Sequence, residues 1–214
     1  MIPLSRAGLS RTVCAYRRSI ITYTLLSIPL IVFTVAPFVP KLGWFRIAIR
    51  ASGIGSLVLM VAVLTVTPLA RLLKAPGLTR YRRAIGLAAF FYALSHTVVY
   101  VWSSQMWDMS FPRFLRRRYI LWGIAALYLL IPLALTSTQA SLLRMGPERW
   151  RRLHLAVFPA LAFTLIHYAL PGYSGAYWRI YALLGLLLAG WRVVQVLERR
   201  RQGGGGAREP ELAA

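Results

Sequence analysis

Three histidines, His96, His154 and His167, are the side chains in this 214-residue chain whose chemistry and position coincide. Each lies within a long uncharged apolar run, whereas all five acids, Asp108, Glu148, Glu198, Glu209 and Glu211, fall outside those runs or at their ends. A carrier driven by protonation or sodium binding at a carboxylate therefore lacks its acids at depth. One cysteine, Cys14, excludes an intramolecular disulfide framework, a cysteine-based zinc site and a four-thiolate iron–sulfur cluster held by this chain alone. What remains is imidazole, a proton-exchanging group and a ligand for transition metals and heme iron.

The spacing of the three narrows that chemistry. At about 1.5 Å of rise per residue, a helix starting near Ala84 carries His96 about 18 Å along its length, and one starting near Leu153 carries His167 about 21 Å along. Both helices run in the same direction, so the two imidazoles reach nearly the same height, while His154 lies about 20 Å below His167. Two neutral imidazoles from neighbouring helices at matched depth suit axial ligation of a b-type heme, one ring on each face of the iron. They equally suit a pair of hydrogen bonds between helices. Tyr92 and Tyr100 lie one turn either side of His96 with Ala89 and Ala93 nearby, and Phe163 and Thr164 lie a turn before His167. Arg82, Arg83, Arg151 and Arg152 at one rim, and the arginines of 113–118 at the other, are cations for the propionates. His154, beside Trp150 and Arg151, reads either as an interfacial anchor or as a ligand of a second, inner heme. The partner such a heme requires falls at Tyr81, Arg82, Arg83 or Ala84, so the usual ligand is missing.

The elements that must position these side chains are membrane helices. Hydrophobic residues make up 58% of the chain and charged ones 14%, against roughly 45–50% and 25% in soluble domains, which excludes an ordinary cytosolic enzyme. The net charge of +21 does not mark a nucleic-acid protein, because the basic residues sit between apolar runs instead of on a polar face. Runs at 19–40, 51–70, 84–107, 119–143 and 153–178 reach the roughly 20 residues that span a bilayer, and a sixth at 180–197 is interrupted by Arg192 near its end. The fold expected is all-α, a polytopic six-transmembrane-helix bundle over 19–197, with a cytoplasmic segment 1–18 and a disordered cytoplasmic tail 198–214. The first run, long and Pro-containing, does not read as a signal peptide. No phosphate-cradling loop is present, and Gly203 to Gly206 is linker composition. With both termini inside, 18 of the 26 basic residues face the cytoplasm and 8 the outside, the sense the positive-inside bias requires.

The segments Thr67-Pro-Leu-Ala-Arg71, Arg82-Arg-Ala-Ile-Gly-Leu87, Phe90-Phe-Tyr-Ala93 with His96 and Tyr100, Arg118-Tyr-Ile120 with Gly123, Thr136-Ser-Thr-Gln-Ala140, and Arg149-Trp-Arg-Arg-Leu-His154 followed by Ile166-His167-Tyr168 resemble the ferric-reductase-like transmembrane family. The resemblance spans roughly residues 51–170. It implies an inner-membrane electron-transfer subunit, not the catalytic subunit, which binds heme b and passes electrons from the quinone pool or a flavin to a periplasmic molybdopterin reductase that repairs oxidised methionines. It further implies His96 and His167 as the outer heme pair, His154 at the inner-heme position, and FMN as a further cofactor. Relatives of this fold that carry a dehydrogenase domain are fed by it; none is expected here after residue 197, so a quinol or a separate flavoprotein is the expected donor. From charge alone, the basic stretches 71–83 and 144–152 are the face where a flavin phosphate would sit. Two rival readings are a ferric or other metal-ion reductase component and a heme-free membrane anchor module.

The orientation is directly testable. A C-terminal fluorescent-protein fusion is expected to fluoresce and a C-terminal alkaline phosphatase fusion to be inactive; the opposite pattern reverses the topology.

Overall fold

The computed structural model describes residues 6–35, 44–102, 116–171 and 177–205, and among them every regular element is helical. Lys41, Trp107, Asp108, Arg113 and the tail from 206 lie outside the described residues. The helices are α1 (Arg6–Val35), α2 (Phe45–Leu72), α3 (Arg82–Trp102), α4 (Arg118–Leu135), α5 (Gln139–Met145), α6 (Pro147–His154), α7 (Val157–Ala169) and α8 (Tyr177–Gly205). A 3-10 segment, Pro76–Tyr81, leads into α3. Among the described residues four spans are long and apolar enough to cross a membrane: Phe45–Leu72, Pro76–Trp102, Arg118–Leu135 and Pro147–Ala169. The apolar part of α1, Ile21–Val35, is shorter. The protein is thus a polytopic helical membrane protein, and large side chains such as Leu72 at 80% and Leu135 at 71% exposure face outward, as lipid contact permits.

The helix ends depart from the apolar runs for local reasons. The run 119–143 is not one helix: α4 stops at Leu135. Pro132 cannot donate within the last turn, and the Thr136 and Ser137 hydroxyls fold back onto the carbonyls of Pro132 and Leu133 at 2.6 Å each. Thr138 then caps α5, its hydroxyl accepting from the Ser141 amide at 3.1 Å. The run 153–178 is divided likewise. Pro159 has no amide for the Leu155 carbonyl, which instead accepts from Phe158 at 3.0 Å, so a tight turn separates the basic helix α6 from the apolar α7. Helix α2 begins at Phe45, which places Arg46 and Arg50 on its first turns and not in a loop. Helix α8 continues to Gly205, past residue 198 where composition sets the start of a disordered tail.

Two antiparallel pairs form the centre. In α2–α3, Gly53 faces His96, Gly55 faces Tyr92, and the Ser56 hydroxyl donates to the Ala89 carbonyl at 2.8 Å. In α4–α7, Gly123 faces His167 and Trp122 packs on Phe163 at 5.1 Å. Small residues at such interfaces let helices approach where lipid supplies no hydrophobic drive. The pairs meet through α3 with α4 and α2 with α7, around a core of Leu57, Met60, Val61, Ala89, Leu130, Ala160 and Leu161. Helix α1 lies against α3, where Thr34 and Ser95 hydroxyls share a 2.7 Å hydrogen bond, and α8 lies against α7 and α2.

The α2–α3 approach fixes a stability prediction. A Cβ at Gly55 would stand 2.6 Å from the Tyr92 ring, whereas at Gly86 the nearest atom, on Val63, is 3.7 Å away. Gly55→Ala is expected to destabilise the detergent-solubilised protein by about 1–3 kcal/mol, and Gly86→Ala to leave its melting temperature unchanged or slightly raised; equal melting curves would contradict the packing.

Candidate functional site

His96 on α3 and His167 on α7 come together between the two helix pairs. Their ring centroids are 6.0 Å apart and their planes stand at 84°. The Nδ1 of His96 lies 2.8 Å from the Ile49 carbonyl oxygen on α2, and the Nδ1 of His167 lies 2.6 Å from the Tyr119 carbonyl oxygen on α4. A carbonyl only accepts, so each Nδ1 carries the proton, and Nε2 is the nitrogen left to a ligand. A hydrogen bond from the second nitrogen to a carbonyl is the device that orients histidines in metal sites.

Both rings line a cavity of about 710 Å³, within the roughly 300–1,000 Å³ typical of small-molecule and cofactor sites. Tyr100, Thr164 and Tyr168 also line it. Three arginines do too: Arg46 and Arg50, one turn apart on α2, and Arg117 at the start of α4. The Arg117 guanidinium donates to the Tyr119 hydroxyl at 3.3 Å, and the Tyr119 ring lies 5.8 Å from that of His167. Among the described residues the cavity lining holds cations, imidazoles and hydroxyls, and no carboxylate.

The ligand supply favours heme over a bare ion. Among the described residues no group of three or more His, Cys, Asp or Glu could hold a metal. Two imidazoles alone leave a transition metal short of donors, whereas a porphyrin brings four nitrogens of its own and asks the protein for two axial ones. Two imidazoles on one metal, with bonds of about 2.0–2.1 Å, have centroids roughly 6 Å apart, which is the separation found. The residues therefore fit a bis-histidine heme.

The other expected residues lie elsewhere. His154, at the end of α6, is outside the cavity lining. Its ring stacks on Trp150 at 3.8 Å, and its Nδ1 lies 3.0 Å from the Trp150 carbonyl oxygen. Its Nε2 is buried and has no hydrogen-bond partner among the described residues. Trp150 is itself held by a 2.8 Å bond from its Nε1 to the Thr136 carbonyl, so the break after α4 anchors the platform on which His154 rests. Arg82 and Arg83, at the start of α3, are exposed, as are Arg151 and Arg152 on α6. Arg151 pairs with Glu148 at 2.9 Å on the surface. None of these four reaches the cavity of His96 and His167.

Tyr92, one turn from His96 on α3, turns toward α1, where its hydroxyl donates to the Leu26 carbonyl at 3.4 Å. Sequence reasoning missed the Ile49 and Tyr119 carbonyls, which no side-chain pattern encodes, and the glycines beneath both rings. The available signal was glycine inside apolar helices, where it costs helix stability unless close packing requires it.

With this geometry in place, the comparisons agree on one family. The profile described as "Ferric reductase like transmembrane component" matches residues 52–165. The chain belongs to the ferric-reductase-like transmembrane family. Its relatives there include the protein-methionine-sulfoxide reductase heme-binding subunit MsrQ of Rhodospirillum rubrum, 42% identical over 161 residues that cover 72% of this chain and 76% of the relative. The protein of that name from Xanthomonas campestris is 35% identical over 161 residues, 70% of each chain. The magnetosome protein MamZ of Magnetospirillum gryphiswaldense is 36% identical over 140 residues, 64% of this chain but 22% of its own length. No solved structure matches. The matched region of the ferric-reductase-like domain contains His96 and His154 and ends two residues before His167.

Proposed function

We propose that this chain is a heme b-binding electron-transfer subunit of the inner membrane, spanning it six times with both termini in the cytoplasm. Helix α1 and helix α8 supply the first and sixth spans. Electrons come from the quinone pool, or from a flavin such as FMN, and pass to a periplasmic molybdopterin reductase that repairs methionine sulfoxide in proteins. The single observation that carries this reading is the His96–His167 pair, 6.0 Å apart, with both Nδ1 atoms committed to helix carbonyls. The names of the MsrQ relatives support the heme and the methionine-sulfoxide reductase system.

Heme bound at this pair supplies a one-electron couple. The chain's own part is placement and electrostatics. His96 and His167 would hold the heme through their neutral Nε2 atoms. Arg46, Arg50 and Arg117 line the same cavity and offer propionates charge-assisted partners. The apolar side chains that α2 and α4 contribute, Leu57, Leu127 and Leu130 among them, give that part of the cavity wall its low polarity. At the other end of the bundle His154, with its buried Nε2, and the basic surface of Arg82, Arg83, Arg151 and Arg152 form the donor side, where an imidazole would accept one of the two protons that a quinol loses as its two electrons leave in successive one-electron steps.

The test is a reduced-minus-oxidised absorption spectrum of the purified protein with heme quantified per chain. A b-type band is expected that collapses in His96→Ala and in His167→Ala and persists in His154→Ala, whose reduction by a quinol analogue is slowed. Loss of half the heme in His154→Ala would instead indicate an inner heme, and a colourless wild-type protein would retire the redox reading. Replacing Arg46, Arg50 and Arg117 together with Gln is expected to loosen heme retention and lower the reduction potential, since nearby cations favour the less positively charged reduced state. Neutralising Arg82, Arg83, Arg151 and Arg152 is expected to slow reduction without altering the spectrum; an unchanged rate would remove the donor-side assignment.

A further inference from the structure

The two histidines sit in seats built to one plan on two different helices. On α2 the Ile49 carbonyl holds His96 Nδ1, and the residue four further on is Gly53, where a Cβ would lie 3.0 Å from that nitrogen and 3.1 Å from Cε1. On α4 the Tyr119 carbonyl holds His167 Nδ1, and four further on is Gly123, where a Cβ would lie 2.7 Å from the nitrogen and 2.9 Å from Cε1. In a helix the carbonyl of residue i points at the amide of residue i+4. A side chain at i+4 therefore stands beside the accepting oxygen, where an imidazole from a neighbouring helix must come in.

We infer that Gly53 and Gly123 are positioning residues, each completing a slot with the carbonyl one turn before it that fixes both the nitrogen and the plane of the facing imidazole. The inference rests on the reading of His96 and His167 as axial ligands. The carbonyl alone fixes where Nδ1 goes but leaves the ring free to swing about the hydrogen bond. The bare glycine surface lets the ring edge, from Nδ1 to Cε1, settle against the helix backbone and stops that swing. Two such slots, one on α2 and one on α4, hold the ring planes 84° apart. Not every helical glycine does this: at Gly86 the nearest atom is 3.7 Å away, and at Gly190 nothing lies within 4 Å.

The slots have an electronic consequence that a purely structural role lacks. Perpendicular axial imidazoles interact almost equally with the two iron orbitals that share their π symmetry, leaving those orbitals nearly degenerate. Low-spin ferric heme then gives a highly anisotropic electron paramagnetic resonance signal, whereas rings turned toward parallel give a rhombic one.

The experiment compares full-length wild type, Gly53→Ala, Gly123→Ala and the control Gly86→Ala, all purified from membranes, by heme per chain and by electron paramagnetic resonance of the oxidised protein. Gly86→Ala is expected to match wild type in both. Gly123→Ala, with the tighter approach, is expected to retain heme about 10-fold less well or worse, the scale of lost outer-shell support at histidine–metal sites. Gly53→Ala is expected to keep more heme and to show its signal moved toward the rhombic form. Wild-type heme content and line shape in both alanine variants would overturn the inference. Should Gly123→Ala fail to accumulate as a monodisperse protein, the line shape of Gly53→Ala decides. A wild-type protein without heme would instead defeat the ligand reading itself, so the two failures are distinguishable.

Discussion

An imidazole inside a membrane helix has two nitrogens to satisfy and no water to satisfy them, and the centre of this bundle is arranged around that requirement. In His96 and His167 one nitrogen is paired with a helix carbonyl from another helix. Those carbonyls already serve their own helices, so each accepts the imidazole as a further donor, and that of Ile49 also takes a longer 3.2 Å bond from the Ser52 hydroxyl. The arrangement demands that α3 approach α2, and α7 approach α4, closely enough for a side-chain nitrogen to reach a backbone oxygen. Gly53 and Gly123 meet that demand at the rings, while Gly55 and Ser56 extend it along α2. The central packing and the ligand geometry are therefore one constraint, not two.

The polar groups of the bundle divide by depth accordingly. Within the apolar layer, hydroxyls bond back to their own helix, as Thr65 does to Val61 and Thr97 to Ala93, or across one interface, as Ser56 does to Ala89. Such bonds spare the hydroxyls the cost of an unmet polar group in hydrocarbon. The cavity departs from this economy by gathering two imidazoles and three guanidinium groups with no counter-anion among the described residues of its lining. A site so short of negative charge suits a ligand that brings its own, and a dicarboxylate macrocycle whose iron takes two axial nitrogens answers both features.

Much of this was legible from residue types. Charge-free length revealed the central spans, and the absence of acids at depth left the histidines as the chemistry; the rise per residue put His96 and His167 at one height. Two kinds of feature were not legible. Helix ends were decided by single prolines and hydroxyls, so that Pro132 with Thr136 cut one run and Pro159 divided another, while Arg46 and Arg50 entered α2 although their charges mark them as loop. Backbone groups were the second kind: a carbonyl acceptor has no letter in the sequence, and a glycine letter does not say what its missing side chain makes room for. Tyr92 shows the same limit from the other side, since its spacing from His96 put it on the right face of α3, but Gly55 drew its ring to another interface.

The two ends of the bundle are unequal, and the inequality bears on direction. His96 and His167 face each other across a prepared volume, each fixed from outside by a neighbouring helix. His154 is fixed by its own helix, through the carbonyl of Trp150 one turn before it and the stack on that ring, with the Leu133 backbone of α4 also beside it. No imidazole faces its buried Nε2, since the chain's other two histidines are committed to the cavity. An iron there would lack its second imidazole, and the neighbouring stretch 80–83 supplies guanidinium groups, which repel a cation. A neutral hydrogen-bond donor that becomes anionic as it gives up its proton meets the opposite situation: an acceptor nitrogen poised for the proton and cations to stabilise the charge left behind. One end of the bundle thus offers two imidazole nitrogens fixed across a shared cavity, and the other a single imidazole nitrogen among cations, an asymmetry that suits a held ligand at the first and an exchanging hydrogen-bond donor at the second.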